Sequence, residues 1–186
     1  MTIEEMFSHI ADNMIKGLMV HSQLVDYFGF LGFEGYQKCH LYHYFDEAKN
    51  FKNLGNYYLK HYNKLLAEDC IDNPNIIPND WIKYTRQQVS GAVRKTALQA
   101  GIEKWVKWEK DTKKLYEQYY NSMISIGEIA AAVELKKIIE DVDYELAGAE
   151  QELLELQAID FSVIDVMMYQ DNMKKKYSKK LKEIEL

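Results

Sequence analysis

Apolar residues recur at alternating steps of four and three along four long stretches of this chain. That is the period of a helix turning one stripe toward a core. The first stripe, Met6, Ile10, Met14 (or Asn13), Gly17, His21, Leu24, Phe28 and Leu31, predicts a helix over about residues 3–31. Thr2, with Glu5 three residues on, forms a capping box at its start, and GFEG at Gly32 to Gly35 supplies a turn at its end. The second stripe, His40, Tyr44, Glu47, Phe51, Leu54, Tyr58 and Leu65, predicts a helix over about 36–67. A polar, proline-marked crossover follows, EDCIDNPNIIPND, in which Pro78 or Asp80 can open a short helix, WIKYTRQQVS, before Gly91. The third stripe, Leu98, Ile102, Trp105, Glu109, Thr112, Tyr116, Tyr119 and Met123, predicts a helix over about 92–123. The fourth, over about 126–157 with Ser125 placed to cap it, reads Ala131, Leu135, Ile138, Val142, Glu145, Ala149, Leu153 and Leu156. Asp160 can cap a final helix whose first half is apolar and whose second half is strongly basic.

These patterns predict an all-α chain. Residues 1–159 are expected to form an antiparallel four-helix bundle with a long connection between its second and third helices, and 160–186 an appended C-terminal helix. The competing arrangement is an elongated coiled-coil hairpin that would leave Glu47 and Glu109 exposed. Two prolines and nine glycines in 186 residues agree with mostly helix. A net charge of −6 argues against nucleic acid as a partner. Cys39 and Cys70 fit no metal-binding spacing and read as reduced thiols, which points to the cytoplasm. No apolar run approaches the roughly 18 residues of a membrane span, and no signal-peptide pattern opens the chain.

Carboxylates on core stripes change the picture. Glu47 and Glu109 lie inside their stripes, and Glu145 lies on the edge of its own with Asp141 one turn before it. A buried carboxylate is costly unless paired, hydrogen-bonded or bound to metal. Helices joined by a short turn lie antiparallel, so residues equidistant from the turn share a level. His21 and Glu47 lie equally far from a turn centred near Glu34, and Glu109 and Glu145 equally far from one centred on Gly127. The crossover of about 25 residues can span the roughly 45 Å of a 30-residue helix. If it runs back along the bundle, all four residues fall in one layer.

Two long hairpins, a long crossover and inward carboxylates in one layer resemble the ferritin-like superfamily over about residues 3–157. That family sets a Glu on each of two helices and Glu-x-x-His on the other two, ligating two irons. EAKNFKNLGNYYL resembles its E-x-x-H-A-x-x-L-x-x-Y-L, with Glu47 as the second-helix Glu and Asn50 where the His belongs. Glu109, in WEKDT, resembles the third-helix Glu, and Glu145 or Asp141 takes the fourth-helix place, with Tyr144 or Gly148 replacing the second ligand. On the first helix His21 stands where the family has Glu; Asp12 keeps nearer the usual separation but points off the stripe.

The resemblance implies a metal site of His21, Glu47, Glu109 and Glu145 or Asp141, with His43 near by, for iron or manganese as one ion or a weakened pair. It implies Fe(II) binding and oxidation or storage, and assembly into a homo-oligomer. The other reading is a metal-free polar layer, hydrogen-bonded to tyrosines and His21, in a bundle that works by binding another protein, for instance as a phage-type inhibitor. Of the histidines on the Glu47 face, His40 and His61 are expected to be solvated or interfacial. The row Glu134, Asp141, Glu145 and Glu152 reads mostly as a solvated helix edge. The Trp105/Trp108 pair reads as packing, and the basic Lys174 to Lys182 half of the last helix is expected to project toward an acidic face.

Overall fold

The computed structural model describes residues 1–64, 66 and 89–184; the crossover and, up to residue 88, the short helix expected within it fall outside these residues. Among the described residues the chain is helical and contains no strand: α1 (Ile3–Leu31), α2 (Glu34–Tyr62), α3 (Gly91–Ser125), α4 (Ile129–Ala158) and α5 (Val163–Lys182).

The start of α1 is the capping box foreseen from Thr2 and Glu5, with both reciprocal bonds made. Its end is set by Gly32, which takes φ 85° and lets the Phe33 amide close back on the Phe28 carbonyl at 2.9 Å. Only two residues separate α1 from α2, so the helices must fold back on each other. α2 stops at Tyr62, short of the expected end near residue 67, because Asn63 turns left-handed (φ 53°). Ser125 does not cap α4. Its hydroxyl donates to the Ser122 carbonyl at 2.7 Å, Gly127 turns at φ 83°, and α4 begins at Ile129. Asp160 does not cap α5 either: it adopts φ 51° and meets Lys95 at 2.6 Å, and Ser162 accepts the Asp165 amide instead.

Pairs across the helices give the topology. On α1 and α3, His9 bonds Tyr119, Asn13 bonds Thr112 and Tyr116, and Tyr27 donates to the Ala97 carbonyl. Numbers rise on one helix as they fall on the other, so the pair is antiparallel. The same holds for α2 and α4, where Tyr36 donates to Glu152, His43 meets Glu145 and Tyr62 donates to Glu128. Two apolar cores result. One gathers Leu24, Phe28, Leu31, Tyr36, Ile102 and Leu156; the other gathers Phe7, Ile10, Met14, Leu54, Tyr116 and Leu135. Between them lies a buried polar layer that includes His21, His40, His43, Glu47, Glu109 and Thr112. The single level foreseen by counting from the turns is present.

α5 runs parallel to α2 along the groove between α2 and α4. The Gly35 amide donates to Gln170 Oε1 at 3.1 Å, and farther along both helices the Tyr42 and Tyr177 rings lie 5.7 Å apart. In the basic half Lys175, Lys176, Lys179 and Lys182 are exposed as expected, but the helix carrying them lies along α2. Tyr177 is buried, Lys174 pairs with Glu34, and Lys180 lies 4.4 Å over the Tyr42 ring. Contact at the head of this pairing needs a residue without Cβ: a Cβ on Gly35 would lie 2.7 Å from the Gln170 carbonyl oxygen, a backbone atom that cannot swing aside. Gly35→Ala is expected to lift α5 and cost about 1–3 kcal/mol. Urea unfolding, with limited proteolysis of residues 160–186, checks this; parental stability with a protected C-terminus would refute the close approach.

Candidate metal centre

Three ligand-type side chains of the layer converge from three different helices. α1 brings His21, α3 brings Glu109 and α4 brings Glu145, and one donor atom of each lies within 4.8 Å of the others. His21 Nε2 stands 3.7 Å from Glu109 Oε1, and both residues are closed to solvent. The Glu145 side chain is 10% exposed and meets His43 Nδ1 at 2.8 Å. Glu47 is buried beside this group, its carboxylate over Gly17: a Cβ there would come within 3.0 Å of Glu47 Oε1. Glu47 therefore shares the layer but not the 4.8 Å group. Asp141 is exposed and stays outside the group, although its charge reaches Glu145.

Burial sets the charge states. It pushes the Glu47 and Glu109 carboxyls well above the ordinary range, with the Glu145 charge adding to both. Burial also drives His21 down to about 3, with His43 adding to the effect, and holds His40 well below its usual value, aided by His21. His43 and Glu145 differ. Burial opposes charge on each, but their mutual attraction outweighs it, so His43 is raised and Glu145 lowered. These directions favour an imidazolium–carboxylate pair at His43 and Glu145 and the uncharged forms of His21, His40, Glu47 and Glu109.

Three buried imidazole nitrogens, Nε2 of His21, His40 and His43, have no hydrogen-bond partner. Orphaned buried polar atoms are rare. For His21 the orphan faces two carboxylates, which is a donor set that fits a divalent ion such as Fe(II) or Mn(II). On α2, His40 and His43 lie on the turns before Glu47 and outside the 4.8 Å group; Asn50, one turn after Glu47, is partly exposed.

Two surface expectations change here. His40 is fully buried, stacked on His21 and on Phe28 at 5.4 and 5.2 Å between ring centroids; His61 is exposed as expected. Its place on the α2 stripe was the available signal. Glu152 is also buried, because α5 covers it and both Tyr36 and Tyr169 donate to its Oε1. Trp105 packs in the core as foreseen and also donates its indole N–H to Glu109 Oε1 at 3.0 Å, a contact the one-turn spacing allows. Cys39 is a buried free thiol.

No family model matches the sequence. No curated protein matches it. Among solved structures, a ferritin of Archaeoglobus fulgidus, engineered by site-directed mutagenesis into a closed form, matches with a TM-score of 0.75 at 12% identity. The match covers 94% of this chain and 96% of that one. Together with the helix order and the antiparallel pairs above, it gives the chain a ferritin-like fold, a four-helix bundle with an added C-terminal helix.

Proposed function

We propose that the chain is a ferritin-like iron-handling protein that binds Fe(II), with Mn(II) as the competing ion, at His21, Glu109 and Glu145. Glu47 lies beside them as a further carboxylate. The observation carrying this reading is the grouping of those three donors within 4.8 Å in a buried layer, with His21 Nε2 otherwise unpartnered. Fe(II) is the substrate in this reading and O₂ the oxidant: two Fe(II) give up one electron each and, with two protons, one O₂ becomes hydrogen peroxide. Glu109 and Glu145 would each bring a carboxylate to the ion, the charge of Glu145 being shared with His43, and His21 a neutral imidazole. Because burial raises the Glu47 and Glu109 carboxyls well above the ordinary range, a cation competes with their protons and uptake strengthens as pH rises. Homo-oligomeric assembly and a cytoplasmic location are the expectations that accompany this reading; among the described residues no helix is long and apolar enough to cross a membrane.

The test is anaerobic titration of the purified chain with Fe(II), followed by elemental analysis and thermal melting. About one ion per chain is expected, with stabilisation of about 2.7 kcal/mol when free metal is a hundred times Kd. Iron or manganese below a few tenths per chain after loading, with unchanged melting, would refute it.

A further inference from the structure

Resting on that metal reading, we propose that His40, Trp105 and His43 form a single positioning shell in which each residue holds one of the three candidate ligands. His21 Nδ1 meets His40 Nδ1 at 3.2 Å, Glu109 Oε1 accepts from Trp105 Nε1 at 3.0 Å, and Glu145 Oε1 meets His43 Nδ1 at 2.8 Å. The pairing is one to one. The three supports also touch one another: His40 stands edge-on to Trp105 at 4.8 Å, and His43 lies 5.8 Å from Trp105 and 6.3 Å from His40, ring centre to ring centre.

Proton placement gives the shell its purpose. Two imidazole nitrogens facing each other share one proton, so one ring donates and the other accepts. When His40 Nδ1 accepts, His21 carries its proton on Nδ1 and leaves Nε2 as a bare lone pair on the side of Glu109 and Glu145. Each carboxylate commits one lone pair of Oε1 to its support and keeps its other lone pairs for a cation. α2 thereby braces α1 through His40 and α4 through His43, while on α3 Trp105 holds Glu109 from the preceding turn. Side chains that only filled the core would not each aim a polar atom at a different ligand.

The experiment uses the full chain with Co(II) as a spectroscopic probe. His40→Phe, Trp105→Phe and His43→Phe keep a ring in place but remove the hydrogen bond. Each is expected to weaken Co(II) binding by about 10–100-fold and to alter the d–d spectrum. His40→Gln retains an acceptor and is expected to recover most of the affinity. Circular dichroism and melting of the metal-free proteins identify any variant that has not folded. In the metal-free protein, imidazole ¹⁵N spectra are expected to show His21 in one tautomer in the parent and in a mixture in His40→Phe. Parental Co(II) affinity and spectrum in all three Phe variants would overturn the positioning shell alone. A parent that takes up no Co(II) or Fe(II) would overturn the metal reading on which it rests, and an unchanged His21 tautomer in His40→Phe would separately end the role given to His40.

Discussion

Glu109→Gln is expected to abolish metal uptake while leaving the metal-free protein at least as stable as the parent. The loss of affinity should exceed the roughly 10–100-fold that follows when only a hydrogen-bonded support is removed. The stabilisation of about 2.7 kcal/mol at a hundredfold excess of metal over the parental Kd should vanish with it. Metal-free stability should hold because burial, with Glu145 adding to it, pushes the Glu109 carboxyl well above the ordinary range and so favours its neutral form, which an amide mimics. A glutamine has its shape and retains an oxygen to accept the Trp105 indole. The sign follows from linkage. A group whose pKa is raised by folding stabilises the fold below its unfolded pKa and loses that contribution as pH rises, so at pH 8 the amide should equal or exceed the acid. A purely structural layer behaves differently: the change would alter stability by about 1–3 kcal/mol where a buried group is left unsatisfied, and metal would act alike on both proteins. Equal metal-induced shifts in melting for parent and variant would end the role of Glu109 as a ligand.

Much of the fold was legible because its punctuation is local. Thr2, Glu5 and Gly32 bound α1 through contacts within a few residues, and the level of the polar layer followed from counting back from two turns. The early end of α2 was not legible, since Asn63 adopts the left-handed conformation that also occurs at many unremarkable loop positions. Nor was the choice between Asp141 and Glu145. Residues four apart on a helix differ by only about 40° in direction, so a small roll of α4 decides which enters the core. Here it is Glu145 that meets His43, while Asp141 stays exposed.

The misjudged surfaces around α5 share one cause. Glu152 reads as solvated only if four helices are considered, and the groove it occupies is closed by a fifth. Direction of packing is what the sequence lacked for α5. Its lysines marked a surface, but the Gly35 contact with Gln170 and the Tyr177 side chain commit that helix to α2 over its length. His40 presented a different difficulty. A histidine on a stripe suits both a core and an interface, and only the ring stack with His21 and Phe28 shows which.

Glu152 also carries the clearest pH dependence outside the candidate metal centre. Burial pushes its carboxyl up from 4.5 to about 7; the bond from Tyr36 works against the rise, and Glu155 adds to it. At about 1.4 kcal/mol per tenfold change in the equilibrium, that rise corresponds to about 3 kcal/mol. Because the folded state binds the proton more tightly, this contribution is complete below pH 4.5, declines between pH 4.5 and 7, and is absent above. Glu152→Gln retains an oxygen for the Tyr36 and Tyr169 hydroxyls and never has to hold a buried charge. Relative to the parent, the variant is therefore expected to be about equal near pH 4 and about 2–3 kcal/mol more stable at pH 8. Taking the difference between the two proteins cancels the other buried acids, which titrate in both. Tyr169 belongs to α5, so protection of residues 160–186 from protease should follow the same curve, falling with pH in the parent and staying level in the variant. Urea unfolding of both proteins from pH 4 to 8 measures the difference; a gap that stays constant across that range would show that Glu152 does not titrate within the fold as argued.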